Sequence, residues 1–273
     1  MGMRRFRVSD KPGKGKLIGE RRMIDVTFDF TTDSYKYWEG FWERNDGLGY
    51  GYSDPDSSSP TLQHYHQVLW SRELPNGEKM DLKIGSGSNY LTWKGFRFGS
   101  DSIVVTLRYK NYRNIIDQVM QRIPDYKHYY EDLIRKAYTI GGMIIFPKHR
   151  HSMNQEKGTN RLISDRWDLT LECIRRHYSG EESPLSSVTQ QDKDFYDLFV
   201  DFKGYVDYFF FQDCVSEDYS SVDVWCGKND FSNPGLPETV EEYFLFIEKQ
   251  MELLGKRNRR IKEYCKWSRI YAL

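Results

Sequence analysis

The chain predicts an α+β fold, with a strand-rich N-terminal third packed against a mostly helical C-terminal part in a single compact domain. Three observations carry this. Alternating apolar and polar residues recur up to about residue 109, apolar positions at helical spacing dominate after residue 114, and no linker, internal repeat or low-complexity block divides residues 23–273. With 273 residues the chain can bury a sizeable core, and its 20 Tyr, 16 Phe and 7 Trp supply large side chains to fill it. Residues 1–22 form a basic segment expected to stand apart from the domain as a flexible arm.

Taken in order, MIDVTFDF from Met23 alternates in polarity and predicts a first strand. DPDSSSP, Asp54 to Pro60, reads as a surface loop, after which Thr61 can cap a short helix carrying LQHYHQVLW. Pro75-Asn76-Gly77 marks a tight turn into a strand through Met80, Leu82 and Ile84. YLTWKGFRF and SIVVTLRY continue the strand pattern, with a break near Gly99. NIIDQVM and YYEDLIRKAYTI have helical spacing, and Pro124 separates them because it has no amide hydrogen to continue a helix.

MIIF, Met143 to Phe146, is a short apolar run that fits a buried strand. A long loop then leads to Ser164 or Asp165, either able to cap a helix on which Trp167, Leu171, Ile174 and Tyr178 form one apolar stripe. FVDFKGYVDYFFFQDCV predicts a core helix, SVDVWC a strand, and Val240, Phe244, Ile247, Met251 and Leu254 the buried face of a long helix. Thr239 and Glu242 match a capping box at its start, and the basic KRNRRIKEYCKW beyond Gly255 can continue it. Trp167, Phe202, Tyr205, Phe209 and Phe244 are the core candidates.

Composition narrows the function classes. No apolar run reaches eighteen residues and the basic N-terminus lacks the apolar stretch of a secretory signal, so a cytoplasmic protein with no membrane partner is expected. The four cysteines, Cys173, Cys214, Cys226 and Cys265, never form CxxC, which suits free thiols rather than a zinc or redox motif. Formal net charge is zero but uneven: residues 256–269 carry seven Lys or Arg against Glu263, while residues 191–223 hold nine acids against Lys193 and Lys203. The basic ends can meet phosphate, or the chain's own acidic segment.

Chemistry-bearing residues concentrate in FPKHRHSMNQEKGTNRLISDRWDLTLECIRRHY, Phe146 to Tyr178, which holds three of the six histidines. His149 and His151, two apart in a loop, suit acid–base work or a metal, but no HExxH or similar spacing supports a metal, and none is assigned. His64 and His66 share that spacing on a predicted helix, where they point to different faces and read as structural. Lys148, Arg161 and Arg166 are candidate phosphate ligands near a helix start, where free amides add to the planar guanidinium fork. Arg166 and His177 lie about 16 Å apart along that helix, so one small site cannot use both. IGSGSNY lacks the spacing of a phosphate loop, and there is no GxSxG.

The phrases SPTLQHYHQVLWSRELPNG, IGGMIIFP, SMNQEKG, DRWDLTLECIRRHY, SPLS, DFKGYVDYFFFQDCV and RNRRI, in this order, resemble the pattern of a broadly distributed bacterial family carried as a domain of unknown function. The resemblance runs from about Met23 to Ile261. It implies one fold rather than two joined domains, and it implies no activity. Asn154, Gly158, Asp165, Arg166, Asp168 and Thr170 match the pattern. Where the family-like phrase has Ala-Arg-Gly after Asn-Gln, this chain has Glu156-Lys157-Gly158, so a role carried by that arginine would pass to Lys157.

Two function classes follow. In the first, the chain binds or processes a phosphate-bearing ligand, a nucleotide or RNA: Lys148, Arg161 and Arg166 hold phosphate, Asn154 orients the ligand, Thr170 completes the binding set, Asp165 or Asp168 is a general base or positions an arginine, and His149 is a further acid–base candidate; Asp165 and Asp168 can instead pair with the arginines as a polar scaffold. No cofactor is implied. In the second, the chain is a non-catalytic interaction or regulatory protein, of phage-related type, whose basic C-terminal helix engages a protein partner.

Overall fold

The computed structural model describes residues 24–44, 49–85, 91–105, 109–226, 230–232 and 237–268. The basic segment 1–22 therefore lies outside the described residues. Four short strands form one antiparallel sheet in sequence order: β1 (Lys83–Ile84), β2 (Leu91–Trp93), β3 (Phe96–Ser102) and β4 (Met143–Pro147). The first three make a meander, and β4 joins after two intervening helices, pairing Phe98 with Pro147 and Ser102 with Met143. All five residues of β4 are buried, as the apolar run predicted.

Helices surround this sheet: α1 (Pro55–Ser58), α2 (Pro60–Trp70), α3 (Tyr109–Arg122), α4 (Tyr126–Ala137), α5 (Met153–Thr159), α6 (Trp167–Ser179), α7 (Ser186–Gln191), α8 (Lys193–Tyr196), α9 (Phe202–Phe209) and α10 (Val240–Trp267). The sheet lies in the N-terminal half and helices fill the C-terminal part, so the fold is α+β and forms one domain. Pro124 separates α3 from α4 as expected.

Several local expectations are corrected. Residues 24–30 form no strand: Asp25 accepts from the Thr27 amide at 2.9 Å and Asp29 from the Thr31 amide at 2.9 Å, so side chains take the amides a ladder would need. Ile24, Val26 and Phe30 are nonetheless buried. Ser59, not Thr61, caps α2, accepting from Leu62 with Pro60 in the first turn. Gly99 does not break the sheet but pairs with Phe146.

The strand pattern of SIVVTLRY stops at Ser102, because the buried Gln250 side chain accepts from the Val105 amide at 2.7 Å; residues 106–108 lie outside the described residues. SVDVWC makes only an isolated bridge, Val222 to Val215, since Asp168 takes the Trp225 amide at 2.9 Å.

The longest helix, α10, ties the layers together. Thr239 accepts from the Glu242 amide at 3.2 Å, giving the predicted cap. Its buried face runs Val240, Tyr243, Ile247, Gln250, Leu254, Arg257, Ile261. Phe244 and Met251, expected on that face, sit at its half-buried edge. Arg257 is fully buried: Nε donates to the Phe209 carbonyl at 2.9 Å, and Nη1 to the Gly141 and Met143 carbonyls at 2.7 and 2.8 Å.

Its neighbour Asn258 accepts from the Gly141 amide at 2.8 Å. A Cβ on Gly141 would lie 2.5 Å from that Asn258 oxygen, and one on Gly142 would lie 1.8 Å from the Ala137 carbonyl, which is why two glycines precede β4. The basic end of α10 also meets the chain's own acidic segment, through Arg260 on Asp213.

Arg257→Met leaves three buried carbonyls without their donor. The expected loss is about 3 kcal/mol or more of unfolding free energy, read as a lower urea midpoint at an unchanged slope.

Candidate functional site

A cavity of about 450 Å³ opens where the end of β3, the α1 turn and the loop after α5 converge. Asp54 enters from the cap of α1 and Asp56 from its first turn, Asp101 and Ser102 from β3, Tyr138 from the end of α4, Gly158 and Thr159 from the end of α5, and Asn160, Arg161, Ser164 and Asp165 from the segment joining α5 to α6. Pro55 sits in the first turn of α1, where it holds Asp54 and Asp56 on either side of that turn. The Tyr138 hydroxyl donates to Asp54 at 2.9 Å.

Lys157 stands behind the cavity wall, 2% exposed, paired with Asp165 and with Asp101 at 3.2 Å. Burial alone would lower its pKa, but Asp101 and Asp165 outweigh that and hold the ammonium charged well above the ordinary range. Asp101 is pushed up to about 7, chiefly by burial and also by Asp165, with Lys157 pulling the other way. Asp56 is raised well above the ordinary carboxylate range by burial, then by Asp54 and Asp101. At neutral pH the cavity is therefore less negative than four aspartates suggest. Burial favours the neutral form of both Asp56 and Asp101, and Lys157 brings a positive charge against the cavity wall.

The residues singled out from sequence separate into three places. Arg161 and Asp165 line the cavity. Lys148, His149 and Asn154 lie outside its lining. Asn154 donates to the Ser100 carbonyl at 2.9 Å and so fixes α5 to β3, and Lys148 is half-buried with its alkyl chain over Gly99. His149 lies 2.8 Å from Asp192 and 2.7 Å from the Arg150 carbonyl, and these outweigh its burial to raise its pKa. His151 pairs instead with Glu156 at 2.8 Å.

Arg166, Asp168 and Thr170 belong to the core rather than to a ligand surface. Arg166 grips Asp168 with Nε at 2.9 Å and Nη2, approaches Cys226 at 3.3 Å, and both partners of the ion pair are fully buried. Thr170 donates back to the Arg166 carbonyl at 2.7 Å. Glu172 holds Arg175 and Arg176 the same way, at 2.8 Å from each Nε. The Arg166–Asp168 pair, the Thr170 bond and the Glu172 bonds to Arg175 and Arg176 thus occupy the charged groups of this stretch within the stretch itself, which lets the first two turns of α6 be buried all round.

Neither Ser164 nor Asp165 caps α6. Both adopt left-handed backbone, φ 52° and 63°, and Arg166 takes the cap position without a side-chain bond. That reversal sends the Asp165 carboxylate to Lys157. The expected continuous loop after β4 is also interrupted by α5, which carries Asn154 and Lys157 inward.

Asp54, Asp56, Asp101 and Tyr138 were not legible as site residues, because three separate segments supply them. The only local hint was the pair of aspartates in DPDSSSP. Among the described residues no group of three His, Cys, Asp or Glu is placed to hold a metal, and no helix is long and apolar enough to cross a membrane.

The fold and this cavity define an α+β protein with a polar, ligand-sized pocket at the end of an antiparallel sheet. Residues 24–261 match the model of a family described as "Family of unknown function (DUF6994)", and the chain belongs to that family. No curated protein and no solved structure matches it.

Arg166→Ala strands Asp168 in the core and is expected to cost about 3–5 kcal/mol of stability. Urea unfolding measures it. A second outcome concerns pH. The folded pKa of Asp101 lies above its ordinary value, so the native state binds more protons and stability falls as pH rises from about 4 to about 7. Asp101→Asn should flatten that slope, on the order of 4 kcal/mol over the window, in urea titrations at half-unit pH steps.

Proposed function

We propose that this protein binds a small phosphate-bearing ligand of nucleotide type in the cavity beside Lys157. The observation that carries the reading is Arg161. It is an exposed guanidinium that lines the cavity and makes no ion pair among the described residues, although four carboxylates share the lining. A guanidinium held away from the surrounding acids is available to a phosphate, and its planar fork suits two phosphate oxygens.

The rest of the lining complements the sugar and base of such a ligand. Asp54 and Asp165 accept from hydroxyl or amino groups, and protonated Asp56 and Asp101 can donate. A volume of about 450 Å³ suits a nucleotide better than an RNA strand. On this reading the protein works in a bacterial cytoplasm, where Cys173, Cys214, Cys226 and Cys265, none of them in a disulfide, remain thiols.

A second reading keeps the basic C-terminal helix as a contact for a protein partner. Trp267 in its last turn is 87% exposed, and tryptophan is among the residues that interface cores favour.

Thermal unfolding against a panel of nucleosides, nucleoside mono-, di- and triphosphates and short RNA tests the first reading. A phosphate-bearing member should raise the Tm, and Arg161→Ala should weaken its binding about tenfold or more while leaving the matching nucleoside unchanged. A panel with no Tm shift, or binding indifferent to Arg161→Ala, overturns it.

A further inference from the structure

Behind the cavity runs a line of hydrogen bonds whose direction is fixed by chemistry. Trp70 Nε1 lies 2.9 Å from His66 Nδ1, four residues earlier on α2. An indole nitrogen only donates, so Nδ1 must accept, and a neutral His66 must carry its proton on Nε2. That Nε2 is 2.9 Å from Ser100 Oγ and therefore donates to it. Ser100, receiving that proton, turns its own hydroxyl hydrogen to Asp56 Oδ1 at 3.1 Å.

His66 is 1% exposed, and burial together with the nearby Arg257 cation lowers its pKa to about 3, so it stays neutral and the direction does not reverse near neutral pH. The consequence falls on Asp56. Its Oδ1 is always the acceptor of the Ser100 hydroxyl, which leaves Oδ2, free of any hydrogen bond among the described residues, as the oxygen for a proton.

We propose that Asp56 is the cavity's proton donor toward a bound ligand, its acidic hydrogen confined to Oδ2 by the Trp70–His66–Ser100 relay. This rests on the reading of the cavity as a ligand site and narrows the ligand class. The ligand presents an acceptor atom, a ring nitrogen, carbonyl or phosphate oxygen, to Asp56. When the proton moves, the Oδ2–H bond breaks, the hydrogen joins the ligand acceptor, and the electron pair stays on a carboxylate that Ser100 already stabilises.

Asp54 and Asp101 face the same carboxyl and disfavour its ionised form, while Lys157 behind Asp101 favours it. Ser100 and His66 act through Asp56 and are positioning residues.

The test uses the full chain without ligand. In ¹⁵N spectra His66 should show a protonated Nε2 and bare Nδ1 from about pH 5 to 9. In ¹³C spectra the Asp56 carboxyl should titrate well above the ordinary value near 4, and Ser100→Ala, which removes a donor to the charged form, should raise it by about one further unit. His66→Gln, which keeps an N–H toward Ser100, should restore most of the wild-type titration where His66→Leu does not. A water-soluble carbodiimide with glycinamide at pH 6.5, reacting with protonated carboxyls, should label Asp56 several-fold over exposed aspartates, and Asp56→Asn should abolish that label.

A protonated Nδ1 on His66, an Asp56 titrating with the surface carboxylates, or no preferential label overturns the proposal. None of these readouts involves a ligand. A silent nucleotide panel would therefore count against the reading of the cavity and not against the relay.

Discussion

The fully buried guanidinium of Arg257 is the interaction on which the other layers depend. Among the described residues it has no carboxylate partner; instead it binds three backbone carbonyls, Gly141 in the turn before β4, Met143 at the start of β4 and Phe209 at the end of α9. Burial pulls its pKa down to about 9, leaving it cationic at neutral pH, and Phe211 packs against it at 4.3 Å. A cation placed so deeply is costly to desolvate, and carbonyl dipoles are what make it tolerable. Because those carbonyls belong to different elements, the charge fixes the sheet edge, α9 and α10 in one arrangement.

From that arrangement the cavity follows. Arg257 and Asn258 set the register of the turn at Gly141 and Gly142, the turn sets β4, and β4 holds β3 in place along five residue pairs. At the end of β3 lie Ser100 and Asp101. Ser100 receives the relay from α2, and Asp101 meets Lys157 from α5. Burial keeps His66 neutral, and the same buried cation adds to that effect. One electrostatic decision in the core thus reaches a surface pocket through two routes, one of packing and one of charge.

How much of this the sequence disclosed depended on range. Features set by neighbours a turn apart were legible: the break at Pro124, the apolar β4 run, the stripe from Trp167 to Tyr178, and the Thr239 cap. Features set by distant partners were not. Residues 24–30 alternate like a strand, but Asp25 and Asp29 claim the amides, and SVDVWC loses its ladder to Asp168, 57 residues away. In the site, Arg161 and Asp165 stood out because local composition marks them. Arg166 stood out for the same reason and is nonetheless occupied in the core, since composition does not reveal which carboxylate faces which cation. Asp56, Ser100 and His66 carry no local mark of one another, being brought together over gaps of 34 and 44 residues.

The segment from Gly158 to Asp165 has a different standing from the rest of the lining. Asp101, Lys157 and Ser100 are bound into the sheet and its helices, so altering any of them disturbs several elements at once. Thr159 and Arg161 are exposed, and the Thr159 hydroxyl bonds back onto carbonyls of its own helix, Gln155 and Glu156. If the pocket binds the ligand proposed for it, changes in that short stretch would alter what its mouth recognises without disturbing the proton donor proposed beneath it. Relatives that share the floor and differ at the mouth would then be a set of proteins with one reactive centre and several ligand preferences.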